Sequence, residues 1–261
     1  GCSLVCCDIS PLGIAAAQAA GLPSVLIENF TWDWIYSGFL ASEPEFNPYI
    51  SAFATLFQQA TQHIQTEPVC SLSPNASLLT LPVSRKPRLT RNEVRSKLGV
   101  PENSRLVLVT MGGFELEYTF LDRLFAQNGA CFVIPGGSDR FETRQNLFLL
   151  PHRSNYYHPD LLHASDAVIS KAGYSTIAEA YHAGIPFGYV SRSHFRESPV
   201  LSNFIQTRMA GFEIDGLSFQ TGHWIDQIPD LLDLPRIIRH EPDGADQIAQ
   251  FLKKEFFTRQ V

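Results

Sequence analysis

The stretch VISKAGYSTIAEAYHAGIPF, residues 168–187, decides the fold of this chain. Its first apolar run ends in a polar turn at Gly173, and a helix then opens on Ser175 and Thr176. Gly184 ends the helix before a second apolar run. The pattern predicts a strand, a loop, a helix and a second strand. Because the loop aims backbone N–H groups at the positive end of a helix, it is typical of an anion-binding site.

The predicted helix has two distinct faces. The residues that follow the i, i+3, i+4, i+7 spacing of a buried face are Tyr174, Ile177, Ala178 and Tyr181. Ser175, Glu179 and His182 fall together on another face. There the Glu179 carboxylate can accept hydrogen bonds from the hydroxyls of a ribose. The alternative is an ordinary exposed carboxylate on a helix.

Strands and helices alternate outward from this stretch. The predicted strands are residues 4–7, 24–27, 68–72, 78–81, 105–110, 131–135, 147–149, 167–170 and 212–214. The predicted helices, besides the one above, are residues 11–20, 48–64, 91–98, 115–127, 161–164, 198–208 and 242–257. Such alternation implies an α/β fold with a parallel sheet covered by helices.

A basic segment, SRKPRLTR at residues 84–91, interrupts the alternation. It is the one dense basic run in the sequence, and we place a domain boundary there. A solvated linker is the plainest interpretation of its charges. The sequence therefore predicts two α/β units. The chain starts in the middle of the first predicted strand and without Met, so we expect the first unit to be truncated at its N-terminus.

Composition and charge exclude several classes of protein. At 261 residues, with 44% hydrophobic and 18% charged residues, the chain is globular. A net charge of −6 argues against a general nucleic-acid binder. No apolar run reaches the roughly 18 residues that cross a bilayer, so we expect no transmembrane segment, although peripheral membrane contact stays open. Five cysteines, an odd number without metal-ligand spacing, favour a reducing, cytoplasmic location and no metal.

Four loops that follow predicted strands carry residues suited to binding. They are residues 110–114 (TMGGF), 135–138 (PGGS), 170–176 and 191–203. Ligands of open parallel sheets bind at the carboxyl ends of strands, where these loops lie. The chain has neither a Walker A motif nor a GxGxxG fingerprint, which argues against a P-loop NTPase and an NAD-dependent dehydrogenase.

Three segments taken together resemble a known superfamily. They are LVLVTMGG at residues 106–113, LLHASDAVISKAGYSTIAEAYHAGIPFGYV at 161–190 and FRESPVLSNFIQTRMAGFEI at 195–214. They resemble the nucleotide-sugar-binding half of the GT-B glycosyltransferases, above all family-28-type enzymes, which include the transferase that adds N-acetylglucosamine to lipid I. DISPLGIAAAQAAGLPSVLIENFTWDWIY at residues 8–36 is still more similar to the glycosyltransferase-like region of plant arabinose kinases and its stand-alone bacterial relatives.

The resemblance implies a GT-B-like fold of two Rossmann-like units. Residues 1–83 would be the remnant of an N-terminal, acceptor-side Rossmann-like domain. Residues 84–241 would form the C-terminal, nucleotide-sugar-binding Rossmann-like domain. Residues 242–261 would be a closing C-terminal helix.

The resemblance also implies a donor site. Its residues would be Gly112, Gly113, Gly173, Tyr174, Ser175, Thr176, Glu179, Glu197 and Asn203. Gly112 and Gly113 would lie under the donor diphosphate, and residues 173–176 would present amides to it. Glu179 would hold the ribose hydroxyls. Glu197 and Asn203 would face the sugar, on a looser alignment.

Asp8 is the candidate catalytic residue. It ends the first predicted strand and precedes a helix that starts at Pro11. In enzymes of the resembled class, an aspartate in this context orients a histidine that deprotonates the acceptor hydroxyl. That histidine would lie upstream of this sequence. The alternative is that Asp8 caps the helix.

Two histidines and an aromatic cluster have open interpretations. His152 and His158 flank the loop LPHRSNYYHP, in the region where the resembled family contacts the base, but a loop or core histidine is the plainer interpretation. The aromatic residues Phe30, Trp32, Trp34 and Tyr36 line an acceptor cleft or, more commonly, belong to a core.

We therefore expect a glycosyltransferase-like protein that binds a nucleoside-diphosphate sugar, in the first instance a UDP-sugar. We expect it to transfer the sugar to a hydroxyl acceptor that the sequence does not identify. The nucleotide sugar is a co-substrate, and no cofactor is implied. The alternatives are a non-catalytic nucleotide-sugar-binding or regulatory module and, less favoured, a sugar-nucleotide epimerase.

Overall fold

The computed structural model describes residues 1–112, 118–192 and 194–257. The chain divides into two compact units. The first consists of Gly1–Val83, His194–Val200 and Glu241–Val261, and the second of Ser84–Ser193 and Leu201–His240. Within the described ranges, no helix is long and apolar enough to cross a membrane.

Strands and helices alternate along most of the chain. The strands are β1 (Val5–Asp8), β2 (Ser24–Glu28), β3 (Gln62–Thr66), β4 (Leu78–Thr80), β5 (Arg105–Thr110), β6 (Ala130–Pro135), β7 (Glu142–Arg144), β8 (Leu147–Leu150), β9 (Ala167–Lys171), β10 (Phe187–Val190) and β11 (Gly211–Glu213). The α-helices are α1 (Pro11–Ala19), α2 (Trp32–Ser37), α3 (Asn47–Phe57), α4 (Arg91–Leu98), α5 (Leu121–Phe125), α6 (His158–Ala164), α7 (Tyr174–Ala183), α8 (Ser198–Arg208), α9 (Gly216–Thr221), α10 (Ile228–Asp233) and α11 (Gly244–Leu252). Short 3₁₀ turns occupy Pro44–Phe46 and His223–Gln227, and a π turn occupies Lys253–Phe257.

The first unit is a four-stranded sheet with the order β1-β2-β3-β4, and every pair in it is parallel. Because side chains alternate across a strand, neighbouring residues of β2 point to opposite faces. Leu26 packs with Cys7 and Ile14 of the preceding elements. Val25 packs on the other side with Ile64 of β3 and with α11. Helices therefore cover both faces, which parallel sheets require.

The second unit is a seven-stranded sheet with the order β11-β10-β9-β5-β6-β8-β7. Its strands are parallel except for β7, which runs antiparallel to β8 at the edge. The chain starts the sheet at β5, builds outward through β6 to β8, and then returns to place β9, β10 and β11 on the other side of β5. This is the doubly wound order 3-2-1-4-5-6 of Rossmann sheets. The order reverses between β5 and β9.

The central strands of the second unit consist of consecutive apolar residues that form its core. Leu106 to Val109 of β5 and Phe132 to Ile134 of β6 are all 0% exposed, so both faces of these strands are covered. Trp224 lies fully buried in the cluster that contains Phe132, and Phe219 stacks on its ring. The predicted α/β class with Rossmann-like parallel units is confirmed.

Most predicted elements are present with similar bounds, whereas the sequence did not predict α2, β3, β7, α9 and α10. Helix α3 ends at Phe57 instead of residue 64, and Ile64 belongs to β3. The spacing of Ala60 and Ile64 imitates a helix, but residues 62–66 form a strand between β2 and β4, a pairing that spacing along the chain does not reveal. The predicted strand at residues 68–72 is absent.

Two predicted helices are shorter than expected. In the described part of the segment at residues 115–127, the helix is Leu121–Phe125. The closing helix α11 begins at Gly244, and its Ile248 packs with Val25 and Ile64 of the first unit. The tail is therefore part of the first unit's core.

Candidate functional site

Two loops of the second unit meet where its strand order reverses. Thr110 at the end of β5 pairs with Ser170 near the end of β9, so the loops that follow these strands start side by side. Gly112 has φ +71, and a Cβ built on it would lie 3.4 Å from Cε and 3.7 Å from Nζ of Lys171. Because Gly112 has no side chain, its backbone is accessible beside Lys171. In open α/β sheets, this crevice is the usual ligand site.

Helix α7 begins in this crevice. Gly173 is its N-cap, in extended conformation, and makes no side-chain capping bond. The helix opens at Tyr174, one residue before the predicted Ser175, which is exposed, while Thr176 is buried. A glycine cap supplies no side-chain acceptor for the first-turn amides, so the positive helix end is directed toward the crevice.

Two cations lie at the same edge. Burial, and then the charge of Arg192, lower the pKa of Lys171 from its ordinary value. Lys171 ends β9, and Arg192 follows β10, the next strand in the sheet. Mutual repulsion of two partly desolvated cations indicates a region of positive potential, which favours an anionic ligand.

Glu179 is not exposed. It lies on α7 with a side chain that is only 2% exposed, although the sequence left an exposed carboxylate as its alternative. Its Oε1 accepts hydrogen bonds from Nε of Arg85 at 2.8 Å and lies 2.8 Å from Nη2 of the same residue. Its Oε2 lies 2.9 Å from Nδ1 of His158. A buried carboxylate is tolerated because it is paired and hydrogen-bonded.

The sequence did not predict these partners of Glu179. Arg85 comes from the basic segment and His158 from the start of α6, 94 and 21 residues away along the chain. Arg85 is 54% exposed and is therefore the solvent-facing cover of the carboxylate. The basic run at residues 84–91 was the available signal, but its charges alone do not indicate a buried partner.

The other residues predicted to bind the nucleotide sugar do not all lie in the same unit. Gly113 lies outside the described residues. Asn203 is exposed on α8 and belongs to the second unit. Glu197 belongs to the first unit, where it is 3% exposed and accepts a hydrogen bond from Nδ2 of Asn29 at 2.8 Å. Glu197 and Asn203 are thus not part of one compact unit.

Asp8 is the last residue of β1 and is exposed. Helix α1 has Ser10 as its N-cap, so the alternative that Asp8 caps this helix is wrong. The next residue, Ile9, has φ 54, which is an outlier for a β-branched residue. The chain therefore turns sharply directly after Asp8.

A metal centre has no support in the described part of the chain. No group of three or more His, Cys, Asp or Glu side chains there is arranged to hold a metal ion. The five cysteines carry free thiols, with Cys7 and Cys131 buried.

No family model matches the sequence. A curated relative is L-arabinokinase of Arabidopsis thaliana, which is 27% identical over 254 residues, or 97% of this chain and 24% of the relative. The chain thus spans about a quarter of the length of the curated relative it matches.

Solved structures share the fold. Spinosyn forosaminyltransferase SpnP matches with a TM-score of 0.60 and 18% identity, over 97% of this chain and 72% of that one. A UDP-glucosyltransferase from Polygonum tinctorium matches with a TM-score of 0.59 and 12% identity, over 97% of this chain and 70% of that one. The chain therefore has a glycosyltransferase-like GT-B fold built of Rossmann-like units, as the resemblance implied.

Proposed function

We propose that the second unit binds a nucleoside-diphosphate sugar, in the first instance a UDP-sugar. The observation that carries the proposal is the crevice between β5 and β9, where an uncapped helix start, an open Gly112 and Lys171 converge. Backbone N–H groups and cations are the donors that a diphosphate requires.

In this proposal the ribose hydroxyls donate hydrogen bonds to the Glu179 carboxylate. Glu179 lies on α7, and a carboxylate is the acceptor that two vicinal hydroxyls prefer. Because Arg85 and His158 occupy the carboxylate, donor binding includes displacement of the exposed arginine from Oε1. The half-buried His158 stays in place.

We further propose that the protein is a glycosyltransferase. In the transfer step, the acceptor oxygen forms a bond to the anomeric carbon while the bond from that carbon to the diphosphate oxygen breaks. The diphosphate leaves with the electron pair, and Lys171 and the α7 amides stabilise its charge. The acceptor proton goes to a base, which Asp8 would orient.

A second candidate is a non-catalytic nucleotide-sugar-binding module. The observation that favours it is the coverage of the plant relative, in which the matched region is 24% of a longer protein named as a kinase. Both candidates require the donor site. They differ in whether UDP is released from a bound UDP-sugar when hydroxyl acceptors are supplied.

Calorimetric titration tests the donor site with UDP, GDP and UDP-glucose. Lys171→Met should weaken UDP binding at least about tenfold, since it removes a charge-assisted hydrogen bond. Glu179→Gln should weaken it as well, whereas Lys97→Met on α4 is the control and should bind normally. A wild-type chain that binds no nucleotide would remove the donor-site proposal. If UDP-glucose binds but no UDP is released with any acceptor, the binding module is the better interpretation.

The pH dependence of UDP binding gives an independent check. The lowered pKa of Lys171 means that the free protein loses this proton at a lower pH than an ordinary lysine does. A bound diphosphate favours the charged amine, so binding takes up a proton as pH rises through that pKa. The second pKa of the terminal phosphate of UDP is about 6, so this phosphate is fully ionised in the alkaline range where Lys171 loses its proton. UDP affinity should therefore fall on the alkaline side, and Lys171→Arg should flatten the decline. An equal decline in both proteins would contradict a role for Lys171.

A further inference from the structure

The first unit contains a cavity that the donor-site proposal does not use. Its volume is about 730 Å³, and its lining residues all fall between Leu26 and Ser77. The ends of β2 and β3, helices α2 and α3, and the segment at residues 71–77 surround it. This volume is within the roughly 300–1,000 Å³ range of small-molecule sites.

A buried carboxylate forms one wall of the cavity. Glu28 ends β2 with a side chain that is 2% exposed. Its Oε1 lies 2.7 Å from Nε2 of His63 and accepts a hydrogen bond from Nε2 of Gln65 at 2.8 Å. His63 and Gln65 are alternate residues of β3, so they lie on the same face of the sheet.

Gln65 is itself held in place. Its Nε2 also donates to the carbonyl of Ser71, and its Oε1 accepts from the backbone N–H of Ser73. These bonds fix the orientation of the amide, and thereby the position of Glu28. The wall is therefore pre-formed, which lowers the cost of binding a ligand.

Two carboxylate oxygens at this cavity can accept further hydrogen bonds. Both side-chain hydrogen bonds of Glu28 end on Oε1, and none of the described residues donates to Oε2. Asp33, in the first turn of α2, also lines the cavity, and its buried Oδ1 has no partner among the described residues. A buried acceptor without a donor, such as Asp33 Oδ1, is costly, so a ligand that brings hydroxyl donors would be stabilised here.

The charges around the cavity argue against an anion. None of the described residues that line it is a lysine or an arginine. Burial, and then the charges of Glu197 and Glu28, raise the pKa of the nearby Cys70 thiol to about 12 against the opposing charge of Arg196. Arg196 itself contacts Trp34 and Ser37 of the lining. Most of the remaining polar lining is neutral hydroxyl and amide, and Phe30, Trp34 and Phe57 supply aromatic surface.

We propose that this cavity binds a neutral, polyhydroxylated small molecule of monosaccharide size. Glu28 Oε2 and Asp33 Oδ1 accept hydrogen bonds from its hydroxyls, and the aromatic side chains cover its C–H surface. An ammonium-bearing ligand would also satisfy two carboxylates. The neutral class is favoured because His63 and Gln65 already make hydrogen-bond contacts with Glu28, and most of the other polar lining residues carry hydroxyl or amide side chains.

Ligand-observed NMR titration of the whole chain tests the proposal. The neutral probes are D-glucose, D-galactose, D-xylose and L-arabinose, the cationic probe is D-glucosamine, and the anionic probe is glucose 6-phosphate. At least one neutral sugar should bind, and glucose 6-phosphate should not. Saturating UDP should leave the signal in place, because no lining residue belongs to the second unit.

Two variants and their controls locate the binding. Glu28→Gln should reduce affinity at least about tenfold, because it replaces an acceptor with an N–H donor. Its control is Glu102→Gln at an exposed position of the second unit. Ala54→Phe should abolish binding by filling the cavity from α3 without touching Glu28. Its control is Ala52→Phe, an exposed residue of the same helix that does not line the cavity.

The outcomes separate clearly. Loss of neutral-sugar binding in Ala54→Phe but not in Ala52→Phe, with unchanged thermal unfolding, supports the proposal even if Glu28→Gln is unstable. Binding of D-glucosamine alone overturns it in favour of a cation site. Absence of binding by every neutral sugar, or binding that Ala54→Phe leaves intact, also overturns it.

Discussion

Gly184 closes the helix of the donor crevice and shows how one residue fixes local packing. It is the C-cap of α7 with φ +66, and its carbonyl accepts a hydrogen bond from the N–H of Ile237. A Cβ at this position would lie 2.1 Å from the carbonyl oxygen of Ile237. Both the backbone conformation and the close approach therefore require glycine.

Gly184→Ala should consequently destabilise the protein more than the same change at another left-handed helix end. Gly99 is the matched control, since it caps α4 with φ +82 and has no atom within 4 Å of an added Cβ. Gly99→Ala should cost about 1 kcal/mol from backbone strain, and Gly184→Ala about 1–3 kcal/mol more from the clash. Urea unfolding of both variants measures the difference. Equal losses would mean that Ile237 moves aside freely.

At the same residue scale, Glu179 marks the limit of sequence reasoning about the site. The predicted stripe of Ile177, Ala178 and Tyr181 is buried, but Glu179 on the other predicted face is buried as well. The sequence did not indicate that Glu179 is itself buried, because its cover comes from Arg85 and His158. Sequence spacing describes one helix at a time and does not reach partners on other elements.

At the scale of elements, the basic segment at residues 84–91 is more than a solvated linker. Its side chains are largely exposed, as expected, but its backbone is anchored. The N–H groups of Arg88 and Leu89 donate to Oδ1 of Asp160, which is 4% exposed. The guanidinium of Arg88 lies 3.9 Å from the ring centroid of Tyr157. These contacts hold Arg85 over Glu179.

Removing the Arg85 side chain should raise UDP affinity if Glu179 holds the ribose. Opening a half-exposed ion pair costs up to about 1 kcal/mol, so Arg85→Ala should tighten binding about two- to fivefold in a calorimetric titration. The control is Arg88→Ala, whose guanidinium lies over the same Tyr157 ring without an ion pair to Glu179. That variant should bind UDP like the wild type.

The opposite result has a definite meaning as well. Weaker UDP binding by Arg85→Ala, with Arg88→Ala unchanged, would show that the arginine contacts the nucleotide and that Glu179 only positions it. The ribose role of Glu179 would then be wrong. A stability measurement on each variant separates this outcome from general unfolding.

At the scale of the whole molecule, two sheets with separate cores organise two candidate sites. The donor crevice is built from β5, β9 and α7, and the cavity from β2, β3, α2 and α3. Ligands stabilise the segments that they bind against local opening. Each ligand should therefore protect its own unit.

Hydrogen exchange followed by mass spectrometry tests this expectation. UDP should slow amide exchange at residues 168–183, and a neutral sugar that binds should slow it at residues 24–37 and 62–77. The reference is the free protein under the same conditions. Protection of residues 62–77 by UDP alone would place the nucleotide in the first unit and contradict both assignments.

The local sequence determined many, though not all, of the elements of this protein. Helix α4 and strand β5 have the predicted bounds, because their signals are contained in neighbouring residues. Thr90 and Glu93 form a capping box at the start of α4, Gly99 ends it, and five consecutive buried residues define β5. The glycine loop before α7 was likewise visible in one short stretch.

Only the tertiary structure decided how those elements meet. The reversal of strand order between β5 and β9 creates the donor crevice, and order in a sheet depends on contacts between residues far apart in the chain. The pairing of Glu179 with Arg85 joins residues 94 positions apart, and that of Glu28 with His63 joins residues 35 positions apart. Neither Glu179 nor Glu28 finds these partners in its own sequence neighbourhood, so the burial and the chemistry of both carboxylates follow from the fold.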